Sequence, residues 1–104
     1  MLDLDTILIL VSETLNIPIP QIKQCASKRP ELCDARSIVI FFCDKEKHDA
    51  DDIAKKLGYK GGKNIPYHLE RVNELIKTDR VLQKSYEKCS LRIKSYRAAL
   101  VVAE

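Results

Sequence analysis

Between Asp49 and Ile76, two short helical patterns flank a glycine-broken turn at helix-turn-helix spacing, and no other stretch constrains the architecture as tightly. Asp49, Asp51 and Asp52 bring a capping side chain and negative charge to a helix start. Ile53, Ala54 and Leu57 supply its apolar face, and Gly58 stands where a C-terminal cap belongs. The turn reads Tyr59-Lys60-Gly61-Gly62-Lys63. Asn64 is then placed to cap a second helix, with Pro66 tolerated in its first turn and Leu69, Val72, Leu75 and Ile76 recurring along its inner face. That arrangement predicts an exposed polar tip of Lys60, Lys63, Asn64, Tyr67, His68 and Arg71, the position from which a recognition helix meets base edges and phosphates in a major groove. Two helices joined by a glycine turn also occur in bundles with no role on DNA, so the pattern alone leaves both readings open.

The remaining elements are also helical. Leu4, Ile7, Leu8, Val11 and Leu15 fall at helical spacing and predict a first amphipathic helix from about Asp3 to Leu15, ended by Asn16. Pro18 and Pro20 restrict their neighbours. Gln21 to Cys25 suffices for one or two turns, and Ala26 to Arg29 forms a basic loop ending at Pro30. From Pro30, the positions Leu32, Ala35, Ile38, Val39, Phe42 and Cys43 predict a long apolar helix at the centre of the domain. The run Ile38 to Cys43 is rich enough in β-branched and aromatic residues to suit a strand. A helix is preferred because Asp44-Lys45-Glu46-Lys47 continues it without Gly or Pro and no second strand of similar quality exists to pair with it.

From Asp79 to about residue 103 a last helix carries Leu82, Tyr86, Cys89, Ile93, Tyr96 and Leu100 at alternating spacings of four and three, the a/d repeat of a coiled coil. Such a helix is roughly 36 Å long, enough to pass a small domain's own core, and a homodimer through this seam is one expectation. The other is that its first half packs on the helix-turn-helix while the apolar end, Ala98 to Ala103, folds back or frays. Arg80, Lys84, Lys88 and Arg92 follow one another at intervals of four on the same helix. Like charges so spaced repel in an isolated helix by a few tenths of a kcal/mol, roughly, per pair, a cost that a phosphate backbone or solvent screening offsets.

Composition narrows the function. A chain of 104 residues, 45% of them apolar, suits one helical domain over residues 1 to 104. Its net charge of +3 conceals an asymmetry: residues 1 to 54 hold 6 Lys/Arg against 10 Asp/Glu, and residues 55 to 104 hold 12 against 5, so the halves carry −4 and +7. A basic half suggests a face for an anionic partner, although lysine-rich helices are also commonly just well solvated. No apolar run reaches transmembrane length and no basic segment precedes the first apolar stretch, so neither a membrane partner nor a secretory signal is expected, and a cytoplasmic location is. The cysteines, Cys25, Cys33, Cys43 and Cys89, form no C-x-x-C pair and read as reduced residues at or beside apolar positions. Cys43 with His48 is at most half a zinc site. Without a nucleophile elbow, phosphate loop or dinucleotide fingerprint, neither an enzyme nor a cofactor is expected.

Between Leu10 and Leu82, the segments VSETLNIPIPQIK, KRPELCDARSIVIFF and DIAKKLGYKGGKNIPYHLERVNELI resemble the C-terminal DNA-binding domain of the bacterial chromosomal replication initiator. In that family a helix and a short helix with an I-x-x-x-x-I/L pattern precede a basic loop. A long central helix beginning near an Ala/Pro-Arg pair follows, then a helix-turn-helix of the tryptophan-repressor type. Ile17 and Ile22, Lys28 and Arg29, Ala35 and Arg36, and Ile53 to Gly58 occupy those places here in the same order. The resemblance implies that Lys28 or Arg29 approaches a minor groove and that Arg36 lies near the phosphate backbone. At the family's Arg-Asp-His-Ser/Thr-Thr-Val signature this chain has Gly62-Lys63-Asn64-Ile65-Pro66, with only His68 answering the signature's later histidine. The residues that read the initiator's site are therefore replaced, and with no AAA+ ATPase module in the sequence, origin melting is not expected of it.

The reading that follows is an all-α, tryptophan-repressor-like bundle of about six helices, with its helix-turn-helix at about residues 49 to 77 and a long C-terminal helix. It binds double-stranded DNA as a small regulatory or initiator-related protein. The alternative is a protein-interaction or dimerisation module that has lost DNA reading, with Leu82 to Leu100 as its interface.

Overall fold

The computed structural model describes residues 2–24 and 29–103, the last two by backbone alone. Among them are six α-helices: α1 (Leu4–Leu15), α2 (Ile19–Ile22), α3 (Pro30–Lys45), α4 (Ala50–Leu57), α5 (Ile65–Leu75) and α6 (Arg80–Ala103), with a 3₁₀ turn at Gly62–Asn64 between α4 and α5. No helix among the described residues is long and apolar enough to cross a membrane.

Local chemistry accounts for most boundaries. The Asp3 carboxylate accepts the Thr6 amide at 2.7 Å and caps α1. Asn16 ends that helix in the left-handed region, φ 56°, its amide turned back to the Glu13 carbonyl. Asp49 and Asp79 cap α4 and α6 in the same way as Asp3, Asp79 accepting from the amides of Val81 and Leu82. The run Ile38 to Cys43 is helical and lies inside α3. With α1, α5 and α6 all packed on it, α3 buries residues on nearly every side, so its β-branched content contributes packing volume without requiring a sheet.

Gly58 closes α4 with φ +88°, and a Cβ there would also meet the Lys23 carbonyl oxygen at 3.3 Å. Gly58→Ala is therefore expected to cost about 1–2 kcal/mol, the left-handed penalty of an L-residue, read as a shift in the urea midpoint at unchanged m-value. A shift within error would mean that the backbone relaxes out of this conformation freely.

One core unites the helices. Ile7, Leu8, Leu10 and Val11 of α1 meet Ala35, Ile38, Val39 and Phe42 of α3, with Ile53, Ala54 and Leu57 of α4, Ile65 of α5, and Leu82, Cys89 and Ile93 of α6. Tyr86 of α6 stacks on Phe42 with ring centroids 5.4 Å apart and meets Phe41 edge-on at the same separation. Near the end of α6, Arg97 pairs with the buried Glu46. The heptad seam of α6 is thus largely consumed within its own chain: Leu82, Cys89 and Ile93 are buried, Tyr86 and Tyr96 are half-buried against the core, and only Leu100 is exposed. The apolar end stays helical through Ala103, with Leu100 and Val101 facing solvent.

Candidate nucleic-acid interface

The turn between α4 and α5 is built on a close backbone contact. Gly62 donates its amide to the Asp51 carboxylate at 3.2 Å, and a Cβ on Gly62 would stand 2.9 Å from that oxygen and 3.2 Å from the Ala50 Cβ. Asp51 thus anchors the turn as well as placing charge at the α4 N-terminus. The chain then winds through a 3₁₀ turn before α5 starts, so Asn64 has near-helical angles (φ −82°, ψ −12°) and makes no side-chain cap. The expected Asn64 cap is absent because capping geometry needs an extended residue, and the preceding 3₁₀ turn has already curled the chain. Its amide side chain is exposed instead, beside Lys60 and Lys63. Tyr67, one turn along, is 63% exposed with its ring edge-on to His68.

Three residues expected to face DNA are placed differently. His68 is only 6% exposed. Its Nδ1 lies 2.8 Å from the Ser37 hydroxyl of α3 and its Nε2 lies 3.0 Å from the Tyr59 hydroxyl. A neutral imidazole donates at one nitrogen and accepts at the other, and a hydroxyl can do either, so both ring nitrogens are satisfied inside the protein. Burial, with the Arg36 and Arg71 guanidiniums nearby, pulls the His68 pKa down to about 4 and keeps the ring neutral at pH 7. Arg71 is turned inward too. Its Nη2 pairs with the buried Asp34 carboxylate at 2.8 Å and its Nη1 donates to the Ser37 hydroxyl at 3.3 Å. Arg36, 2% exposed, donates to the Gln24 carbonyl at 2.6 Å and to the Cys33 sulfur at 3.4 Å, and so ties the end of α2 to α3.

These residues form one polar layer, Asp34, Arg71, Ser37, His68 and Tyr59, joining the first half of α3 to the first half of α5 and to the turn. Sequence reasoning missed Ser37 and Asp34 altogether. A signal for His68 existed: it lies three residues after Ile65 and four before Val72, both buried, on the inner stripe of α5. Arg36 is likewise four after Leu32 and three before Val39 on α3.

No protein-family model and no curated protein matches the chain.

On the outer surface, exposed Lys60, Lys63 and Asn64 line one hollow with Gly61, and exposed Tyr67 follows one helical turn after Asn64. Arg29, at the start of α3, is exposed and paired with Glu31 at 2.6 Å. A cleft of about 390 Å³ is lined by Pro30, Cys33, Tyr67, His68 and Arg71, so the start of α3 and the first turns of α5 border the same hollow. Lys28 and Cys25 lie outside the described residues.

No group of three or more His, Cys, Asp or Glu among the described residues is arranged to hold a metal ion. His48 donates from Nε2 to the Leu2 carbonyl at 2.7 Å, while Cys43 faces the core. Burial pushes the Cys43 and Cys89 thiols up to about 12, which keeps both protonated.

Proposed function

We propose that this chain binds double-stranded DNA through the exposed end formed by the 3₁₀ turn and the first turn of α5. The carrying observation is that exposed Lys60, Lys63 and Asn64 share one hollow on a turn held by the Gly62–Asp51 contact, with exposed Tyr67 in the first turn of α5 beside the His68–Ser37–Arg71–Asp34 layer. Lys60 and Lys63 contact phosphates and set register. Asn64, uncommitted as a cap, and Tyr67 are the groups that reach base edges. His68, Arg71 and Arg36 hold that surface in shape, and Arg29, next in the chain to the cleft residue Pro30, is a further candidate contact together with Lys28. The order of a helix, a single turn of helix, a basic stretch of sequence, a long central helix and two helices around a glycine turn supports kinship with the initiator's tryptophan-repressor-like domain. The replaced recognition signature favours a small regulatory or initiator-related protein with its own or relaxed sequence preference.

The alternative, an interaction module dimerising through Leu82, Tyr86, Cys89, Ile93, Tyr96 and Leu100, is disfavoured because most of that seam packs on this chain's own α1 and α3. On α6 a homodimer has the exposed Val81, Leu91, Leu100 and Val101 to build on.

Fluorescence anisotropy of a labelled duplex across a salt series tests the DNA reading. Affinity should fall linearly on a log–log plot, and Lys60→Gln with Lys63→Gln should reduce the slope by about 2, at about 0.9 for each phosphate that is no longer neutralised. Both sites are exposed, so folding should be unchanged. Absence of binding at low salt overturns the proposal, and an unchanged slope in the double variant overturns the assigned face.

A further inference from the structure

A cavity of about 300 Å³ lies between the last turn of α3 and the second half of α6, lined by Phe42, Lys45, Ser90, Ile93, Lys94 and Arg97. On each helix the contributors share one face. Phe42 and Lys45 are three residues apart, and Ser90, Ile93, Lys94 and Arg97 follow one another at i, i+3, i+4 and i+7. None of them belongs to the surface assigned to DNA above.

Its floor is apolar. Phe42 and Ile93 are members of the core, and the Phe42 ring is backed by Tyr86, stacked on it with the planes 6° apart. The rim is cationic. Lys45 and Lys94 are exposed and form no ion pair among the described residues, and Lys45 holds its ammonium 5.2 Å from the centroid of the Phe41 ring. Arg97 pairs through Nη2 with the buried Glu46, which steadies a guanidinium that has further donors to offer. Half-buried Ser90 adds a hydroxyl, and no acidic residue lines the cavity.

Three cations around an apolar floor select an occupant on two counts. Their mutual repulsion is relieved by a negative charge, and the floor is covered only by an apolar body attached to that charge. Inorganic phosphate and the backbone of a duplex meet the first condition and not the second. The volume stands at the lower end of the roughly 300–1,000 Å³ typical of small-molecule sites, which limits the body to one or two rings or a short acyl chain.

We infer that this cavity binds a small organic acid, its carboxylate held by Lys45, Lys94 and Arg97 and its apolar body laid on Phe42 and Ile93. The inference does not rest on the DNA reading, and either stands if the other fails.

The test titrates the full chain with 2-naphthoate, with its neutral counterpart 2-naphthamide and with inorganic phosphate, following backbone amides by NMR. Naphthoate should shift the amides of Lys45, Ser90, Ile93 and Lys94 saturably, and the amide and phosphate should each bind about tenfold more weakly or worse. Lys45→Gln with Lys94→Gln, both at exposed positions, should leave the circular dichroism unchanged and weaken naphthoate by about fivefold or more. Naphthamide binding as tightly as naphthoate overturns the inference, because the cations then select nothing. Phosphate binding as tightly as naphthoate overturns it too, because the floor then contributes nothing. So does the absence of a saturable shift at these amides below about 10 mM naphthoate. A duplex that shifts the same amides and displaces naphthoate reassigns the cations to DNA, and ligand-free shifts that grow with protein concentration reassign the cavity to a second copy of the chain.

Discussion

Arg71→Ala is expected to destabilise the domain by about 3–5 kcal/mol, the largest effect of any single change at the candidate interface. Arg71 is a polar residue on the helix that carries the tip, and by residue type it looks like a DNA contact. Its surroundings argue otherwise. The Asp34 side chain is only 9% exposed and the Arg71 side chain 19%, with nitrogen and oxygen 2.8 Å apart. Removing the guanidinium leaves a buried carboxylate without its counter-charge and takes a donor from Ser37, which also serves His68. Urea unfolding followed by far-UV circular dichroism measures the loss, and a change below about 1 kcal/mol would show that water reaches Asp34 freely. Removing both charges separates the two roles. Asp34→Leu with Arg71→Met should recover most of the stability, because a buried pair replaced by apolar side chains of similar size is often neutral. If DNA affinity recovers alongside, Arg71 acts on DNA through the position of α5; if stability returns and affinity does not, Arg71 touches the duplex.

The placement of Arg71 illustrates how far the residues themselves reveal this protein. Most helix starts and stops were legible from one residue: Asp49 as a cap, Asp3 and Asp79 as the places where helices begin, Asn16 as a stop and Gly58 as a C-terminal cap, whereas Asn64 was not the cap its type suggested. The helical state of α3 was legible from its flanks. The seam on α6 was legible as a buried face, but periodicity says that a face is covered and not by what. Here the cover is α1 and α3 of the same chain. Depth was the least legible property. Lys63 and Arg71 are both cations near the turn, yet one is solvated and the other completes a layer whose key acid, Asp34, lies 37 positions earlier. Nothing local encodes that pairing, although the inward phase of His68 and Arg36 on their helices was available as a hint. The 3₁₀ turn escaped notice because Gly62 adopts it in order to approach Asp51, a contact across eleven residues.

Acid should loosen the same layer by about 3 kcal/mol between pH 6.5 and 4. The His68 pKa falls from 6.5 to about 4 on folding, because burial and then the nearby Arg36 and Arg71 charges penalise the imidazolium. As pH drops through 6.5 the unfolded chain takes up a proton that the folded chain refuses, so stability is complete above this range and declines toward pH 4. Below that both states are protonated and the His68 contribution no longer changes. Thermal or urea unfolding at several pH values reads the slope, and His68→Gln, which retains hydrogen-bonding capacity toward Ser37 and Tyr59, should be less stable at pH 7 yet nearly flat across that window. A wild-type protein as stable at pH 4.5 as at pH 7 would show that the imidazole is solvated. Asp3 and Glu31, whose carboxyls hydrogen bonds hold below the ordinary range, begin to lose their contribution as pH falls toward their ordinary values of 3.8 and 4.5, so the part of the window above about pH 5 reads His68 alone of the three. The steepness has a structural cause. Protonated His68 would be a buried cation close to the Arg36 and Arg71 charges, while the Asp34 carboxylate is already paired with Arg71, so the strain falls on the layer that seats α5 on α3.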